Sequence, residues 1–246
     1  MDRVDTDEHV VGVVRPDHTR QRIPLPVGAR SGPAAPWAHL PAADRHIDTA
    51  TVREAFRDLA PPVPSPRERE VGLPAAAVLA PLYDENGAAN VILTRRHLQL
   101  RAHSGEVAFP GGRSEPGETL EQTARRETQE EIALRSPVEV IGELDHLSTI
   151  TSGSFIVPYV GVLPEPPIGL VANPGEVEAI LPVRLSDLLD PDVYRSEIWT
   201  MPGRGEFPVV FFDLDDDTVW GATAAMLRQL LGFVTGTVGR GELGHI

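Results

Sequence analysis

From Phe109 to Leu134 the chain reads FPGGRSEPGETLEQTARRETQEEIAL, a glycine-rich turn that runs directly into a helix with carboxylates along one side. Pro116-Gly117 marks a turn, and Thr119 with Gln122 forms the S/T-x-x-E/Q pattern of a helix-capping box. Leu120, Ala124, Thr128 and Ile132 recur every four residues and make the inward stripe of a helix over Leu120–Ile132. Glu127, Glu130 and Glu131 lie off that stripe at i, i+3 and i+4, so one helical turn gathers all three on a single face. Like charges held that way repel, and only Arg125 and Arg126 stand near. A divalent cation over the face accounts for the pattern, and oxygen-only ligands suit magnesium or manganese. Pro110-Gly111-Gly112 allows the backbone to come close to a ligand. The alternative reading is a solvated acidic helix face.

Spacing adds a second constraint. Gly112, Glu118, Arg126, Glu127, Glu130 and Glu131 match, in order, the pattern G-x5-E-x7-R-E-U-x-E-E-x-G-U, where U is a bulky apolar residue. In this the chain resembles the Nudix hydrolases. Thr128 stands where an aliphatic residue is usual, and Ala133 replaces the glycine that leaves the helix with positive φ. The resemblance implies an α/β fold, a Nudix-type α/β/α sandwich with a mixed central sheet, and hydrolysis of a pyrophosphate bond with Mg2+ or Mn2+. It also implies that Glu127, Glu130 and Glu131 hold the metal. The backbone at Gly112 joins them, and Glu118 supports them or adds a further contact. Arg126 is expected to orient a carboxylate through a bidentate bond rather than to touch substrate.

The formal net charge is −14, which argues against a nucleic-acid surface. Within this acidic chain, Val91–Ser104 (VILTRRHLQLRAHS) carries Arg95, Arg96, Arg101, His97 and His103 and no acid. Such a run is either a phosphate clamp or an exposed loop that balances neighbouring acids. Its continuation to Gly112 is similar to the run LLTxR(S/A)x3Rx3Gx3FPGG of coenzyme A pyrophosphatases within the Nudix group. Leu93, Thr94, Arg96, Arg101, Gly105 and Phe109–Gly112 fit, and His97 departs from it. Thr151-Ser152-Gly153, Asn173–Glu178 and Trp220–Ala224 extend the likeness, which spans roughly residues 74–235. It implies coenzyme A or a thioester as substrate, with Arg95, Arg96, Arg101, His103 and Gly105 as substrate contacts. The products would be adenosine 3′,5′-bisphosphate and 4′-phosphopantetheine or its acyl form.

The proton acceptor stays open between Glu176 and Glu178, which flank a valine after a Pro-Gly turn, and a water activated at the metal needs neither. Two other functions stand beside the first. One is hydrolysis of another nucleoside diphosphate derivative such as ADP-ribose, and the other is a Nudix-type module that binds a nucleotide metabolite without turnover.

The remaining expectations concern organisation. No apolar run approaches the roughly 20 residues of a membrane span, the acidic N-terminus lacks an apolar signal core, and there is no cysteine. A cytoplasmic enzyme of a small-molecule substrate fits, with no nucleic-acid or membrane partner and with a homodimer left open. Residues 1–70 are proline-rich and read as an extension: irregular or mobile through Pro41, then one helix over Ala50–Leu59 with Val52, Phe56 and Leu59 inward. Residues 71–246 read as the hydrolase domain. Ala75–Leu82, Asn90–Thr94, Val138–Leu144, Phe155–Leu163 and Glu176–Val183 read as strands, and Ala222–Val234 as a second flanking helix. Leu185–Leu189 reads as a helical turn, and Arg195–Met201 with Phe207–Phe212 as a peripheral hairpin.

Overall fold

A computed structural model describes residues 21–242, apart from residues 22, 25, 66–67, 69–73, 101–102, 149–153 and 202–204. The expectations for residues 1–20, for 151–153 and for the hairpin turn at 202–204 lie outside the described residues. Among those described, the larger sheet has eight strands. Its centre is β2 (Ala75–Glu85), flanked by β3 (Ala88–Arg96) and β8 (Phe155–Val162). β2 and β3 run antiparallel through Asn86-Gly87, whose φ values of 53° and 76° are those of a two-residue hairpin turn. β2 and β8 run parallel, so the sheet is mixed as expected. Short strands β4 (Val107–Ala108), β5 (Gly111–Arg113) and β7 (Leu147–Ser148), with β6 (Glu139–Glu143) and β9 (Val177–Arg184), complete it.

Alternation along the central strands assigns the two faces. Ala77 and Leu79 of β2 and Val157 and Tyr159 of β8 pack on Ala124 of helix α2 (Leu120–Ile132). Ala80, Leu82, Val91, Leu93, Val160 and Val162 turn the other way and pack with Leu227, Leu230 and Leu231 of helix α3 (Gly221–Val234). Both faces of the sheet are therefore covered, which is the α/β/α sandwich. Helix α1 (Thr49–Arg57) begins at Asp48, whose carboxylate accepts from Thr51 N at 2.7 Å, and buries Val52 and Phe56 as expected.

One expectation changes. The hairpin of β10 (Tyr194–Met201) and β11 (Gly205–Asp213) is not peripheral: with β1 (Arg30–Ser31) and β12 (Thr218–Trp220) it forms a second antiparallel sheet. Val210 and Phe212 join the main core, while Val209 and Phe211 pack with Trp199 on the opposite side. The described part of the segment before Pro41 is irregular apart from β1, and it packs on the core. Trp37 is fully buried, stacked on Phe212 at 6.3 Å and edge-on to Tyr194 at 5.3 Å. Further upstream, the Gln21 side-chain amide donates to Thr218 O at 3.0 Å and accepts from Thr218 N at 2.8 Å, so it pairs with β12 as another strand would.

Candidate active site

Helix α2 starts with the expected capping box. Thr119 Oγ1 accepts from Gln122 N at 3.2 Å, and Thr119 N donates to Gln122 Oε1 at 2.8 Å. At the other end Ala133 holds φ 54° and ψ 31°, the left-handed conformation that its place in the pattern demands of glycine. The last carbonyls of the helix are met by a loop. Asn173 N donates to Glu131 O at 2.8 Å and Val171 N to Ile132 O at 3.1 Å. Docking of that loop carries Glu176 to the carboxylate face, where its charge bears on both Glu127 and Glu131.

Arg126 ties the acidic side chains together. Its Nε and Nη2 donate to the two oxygens of Glu118 at 2.6 and 3.1 Å, its Nη1 to Glu127 at 2.9 Å and to Glu130 at 3.1 Å, and Nη2 also to Arg113 O. The bidentate bond expected of this arginine thus goes to Glu118. Glu118 further accepts from Glu115 N and from Thr123 Oγ1, and these donors, the guanidinium foremost, hold its carboxyl down at about 2. Its oxygens are committed to closing the loop onto the helix.

Glu131 is only 3% exposed. Burial pushes its carboxyl up to about 7, with Glu127 and Glu176 adding to the rise and Arg96 and the Gly111 amide opposing it. The amide is 3.3 Å away and Arg96 Nη1 3.7 Å, so this buried acid is short of positive charge. Burial raises Glu127 as well. Among the described residues no three acidic or imidazole groups converge on one point as they stand, because Glu127 and Glu130 share Arg126 while Glu131 faces Gly111. The donor set nevertheless fits a divalent cation: three carboxylates on one helix face, two of them raised by burial without enough counter-charge. Gly112 lines the same space, since a Cβ there would lie 2.5 Å from Glu127 Oε2.

The basic run divides. Arg96 projects toward α2 beside Glu131, and its Nε is buried without a hydrogen-bond partner. Arg95, expected as a substrate contact, projects to the opposite face of β3. It is buried there in a bidentate ion pair with Asp217, Nε to Oδ1 at 2.7 Å and Nη2 to Oδ2 at 2.5 Å, which removes it from the site. Alternation along β3 separates the two arginines, a consequence legible once the strand is assigned. Arg101 lies outside the described residues. His103, at φ 55°, bonds Glu106 at 2.8 Å, which raises its pKa, and Gly105, at φ 71°, donates its N–H to Arg96 O. Glu178 lies 3.7 Å from Arg95, on the far side from Glu176. Asp217 carries no mark in the sequence, since an acid in a DLDDD run has no distinguishing spacing, whereas Asn173 heads the run Asn173–Glu178 that extends the family likeness.

Comparison with known proteins bears on these features. The NUDIX domain family model matches residues 73–203. A protein of Photorhabdus laumondii named as the uncharacterized Nudix hydrolase NudL is 37% identical over 157 residues, covering 63% of this chain and 82% of that one. Nudix hydrolase 3 of Caenorhabditis elegans is 34% identical over 184 residues, covering 69% of this chain and 77% of that one. The NudL protein of Escherichia coli O7:K1 is 35% identical over 164 residues, with coverage of 63% and 80%. The matched family segment contains α2, its capping loop and the arginine clamp, and on that ground the chain belongs to the Nudix family of pyrophosphohydrolases.

Proposed function

We propose that this enzyme hydrolyses the pyrophosphate bond of coenzyme A or its thioesters, giving adenosine 3′,5′-bisphosphate and 4′-phosphopantetheine or its acyl form. The observation that carries the reading is Arg96: the arginine of the coenzyme A-like run stands 3.7 Å from Glu131, against the carboxylate helix. Glu127, Glu130 and Glu131 would hold Mg2+ or Mn2+ together with the backbone at Gly112, and Glu118 supports them through Arg126. When bound, such a cation neutralises phosphate oxygens and makes water more acidic. Arg96 adds positive charge toward the diphosphate, and Arg101 with the His103–Gly105 turn would bind the phosphates further out. Water attacks one phosphorus, the bond from that phosphorus to the bridging oxygen breaks, and Glu176 takes the proton. Its bearing on Glu127 and Glu131 supports Glu176 over Glu178 as the acceptor. In this reading residues 71–246 carry the activity and residues 1–70 extend it, in a cytoplasmic enzyme whose partner is the small substrate, with a homodimer left open. No helix among the described residues is long and apolar enough to cross a membrane.

The test is magnesium-dependent release of adenosine 3′,5′-bisphosphate from coenzyme A, with Glu130→Gln expected to abolish it. A panel of coenzyme A, its acyl derivatives, ADP-ribose and oxidised nucleotides is ranked by kcat/KM. Preference for ADP-ribose overturns the coenzyme A assignment and leaves the hydrolase standing. Tight binding of a panel member without turnover would restore the non-catalytic module.

A further inference from the structure

On a regular strand, residues two apart share a face. Glu176 and Glu178 are not such a pair: Glu178 lies in β9 beside Arg95, whereas Glu176 lies in the turn before the strand, on the side of the carboxylate helix. The register also shifts where β9 starts against β3: Arg95 pairs with Ala179 and Arg96 with Val177, so Glu178 is the extra residue of a bulge. Bulges beside active sites re-aim side chains. This one sits where Arg96 turns toward Glu131, and on its other side it is held by charge. Arg95 Nη1 is 3.7 Å from Glu178, and Arg95 is itself gripped by Asp217, with only 8% and 5% of the two side chains exposed. Asp217 comes from the turn between β11 and β12, in the second sheet. That turn is fixed in its own right, by Leu214 N donating to Asp217 O at 2.8 Å and by Gln21 pairing with Thr218. A buried ion pair is no better for stability than a well-packed apolar pair. Its presence beside the bulge asks for another reason.

The geometry points to Asp217 as a positioning residue of the hydrolytic site: acting through Arg95 and its neighbour Glu178, it holds the start of β9 and so the turn just before it, which carries Glu176. The inference rests on the reading of Glu176 as proton acceptor given above.

The experiment compares full-length wild type, Asp217→Asn, Asp217→Glu and the apolar double variant Arg95→Met/Asp217→Leu, each on the panel substrate that wild type turns over fastest. A wild type that prefers ADP-ribose therefore removes the coenzyme A assignment without touching this comparison. The expected result is a folded double variant whose kcat falls about tenfold or more while KM moves roughly threefold or less, with a displaced acidic limb in its pH–rate profile. Asp217→Glu recovers part of that loss. Asp217→Asn leaves Arg95 buried without its counter-ion and is expected to melt lowest, so the double variant decides. Wild-type kcat and pH profile in a folded double variant overturn the proposal, and so does failure of both variants to fold, which would make the pair a structural clamp. Glu176→Gln is measured alongside. Unchanged kcat there removes the proton-acceptor reading, whereas a fall there with wild-type behaviour in the double variant removes only the role of Asp217.

Discussion

Gly112 is glycine because the Glu127 carboxylate occupies the place its side chain would take. Sequence spacing marks this position without giving the reason, which needs the packing of β5 on α2. Gly112→Ala is expected to fold with a melting temperature within a few degrees of wild type, because the crowded atoms end a flexible side chain. It should lose about tenfold or more in kcat and bind magnesium more weakly by calorimetry, as Glu127 swings aside. Glu131 makes a second prediction. Its folded pKa of about 7 lies above the ordinary carboxylate value, so between pH 4.5 and 7 the native state binds more protons than the unfolded state. Stability from this group is fully present below that window and lost as pH rises through it. His103, raised by Glu106, acts in the same direction. In chelator, urea unfolding should show the protein more stable at pH 5.5 than at pH 8, by up to about 2 kcal/mol. Added magnesium, which favours the ionised carboxylate, should flatten that slope. Equal stability at the two pH values in chelator would contradict it.

The catalytic helix was legible at both ends: Thr119 and Gln122 cap it, and Ala133 leaves it in the left-handed region. Ala133→Gly is expected to raise stability by about 1 kcal/mol in urea titration with no change in kcat, since it relieves a Cβ held at positive φ. The central strands were legible too, because β2, β3 and β8 are long apolar runs. What escaped were elements without periodicity. β1 has two residues and β12 three, and without them the β10–β11 hairpin looked like an appendage. The point where β9 begins leaves no mark in a sequence either, so Glu176 in the turn and Glu178 in the strand read as equivalent from the residues alone. Asn86-Gly87, in contrast, is a hairpin signal that the sequence did carry.

Across the whole molecule, the family segment from residue 73 to 203 does not close the core on its own. Trp37 packs into the main core against Tyr194 and Phe212 of the second sheet, in a proline-rich stretch whose composition argued for an irregular chain. Its ring partners, Tyr194 and Phe212, lie more than a hundred residues away, which no local pattern can reveal. Trp37→Ala is expected to remove about 3–5 kcal/mol of stability in chemical unfolding while leaving KM near wild type. A loss below about 1 kcal/mol would mean that this segment only lies on the core. The pairing of Gln21 with Thr218, 197 residues apart, also orders events in time. During synthesis the segment at Gln21 must wait for β12 to leave the ribosome. Such distant partners make closure of the fold slow and post-translational, and a chain stalled short of β10 would present Trp37 to solvent and to chaperones.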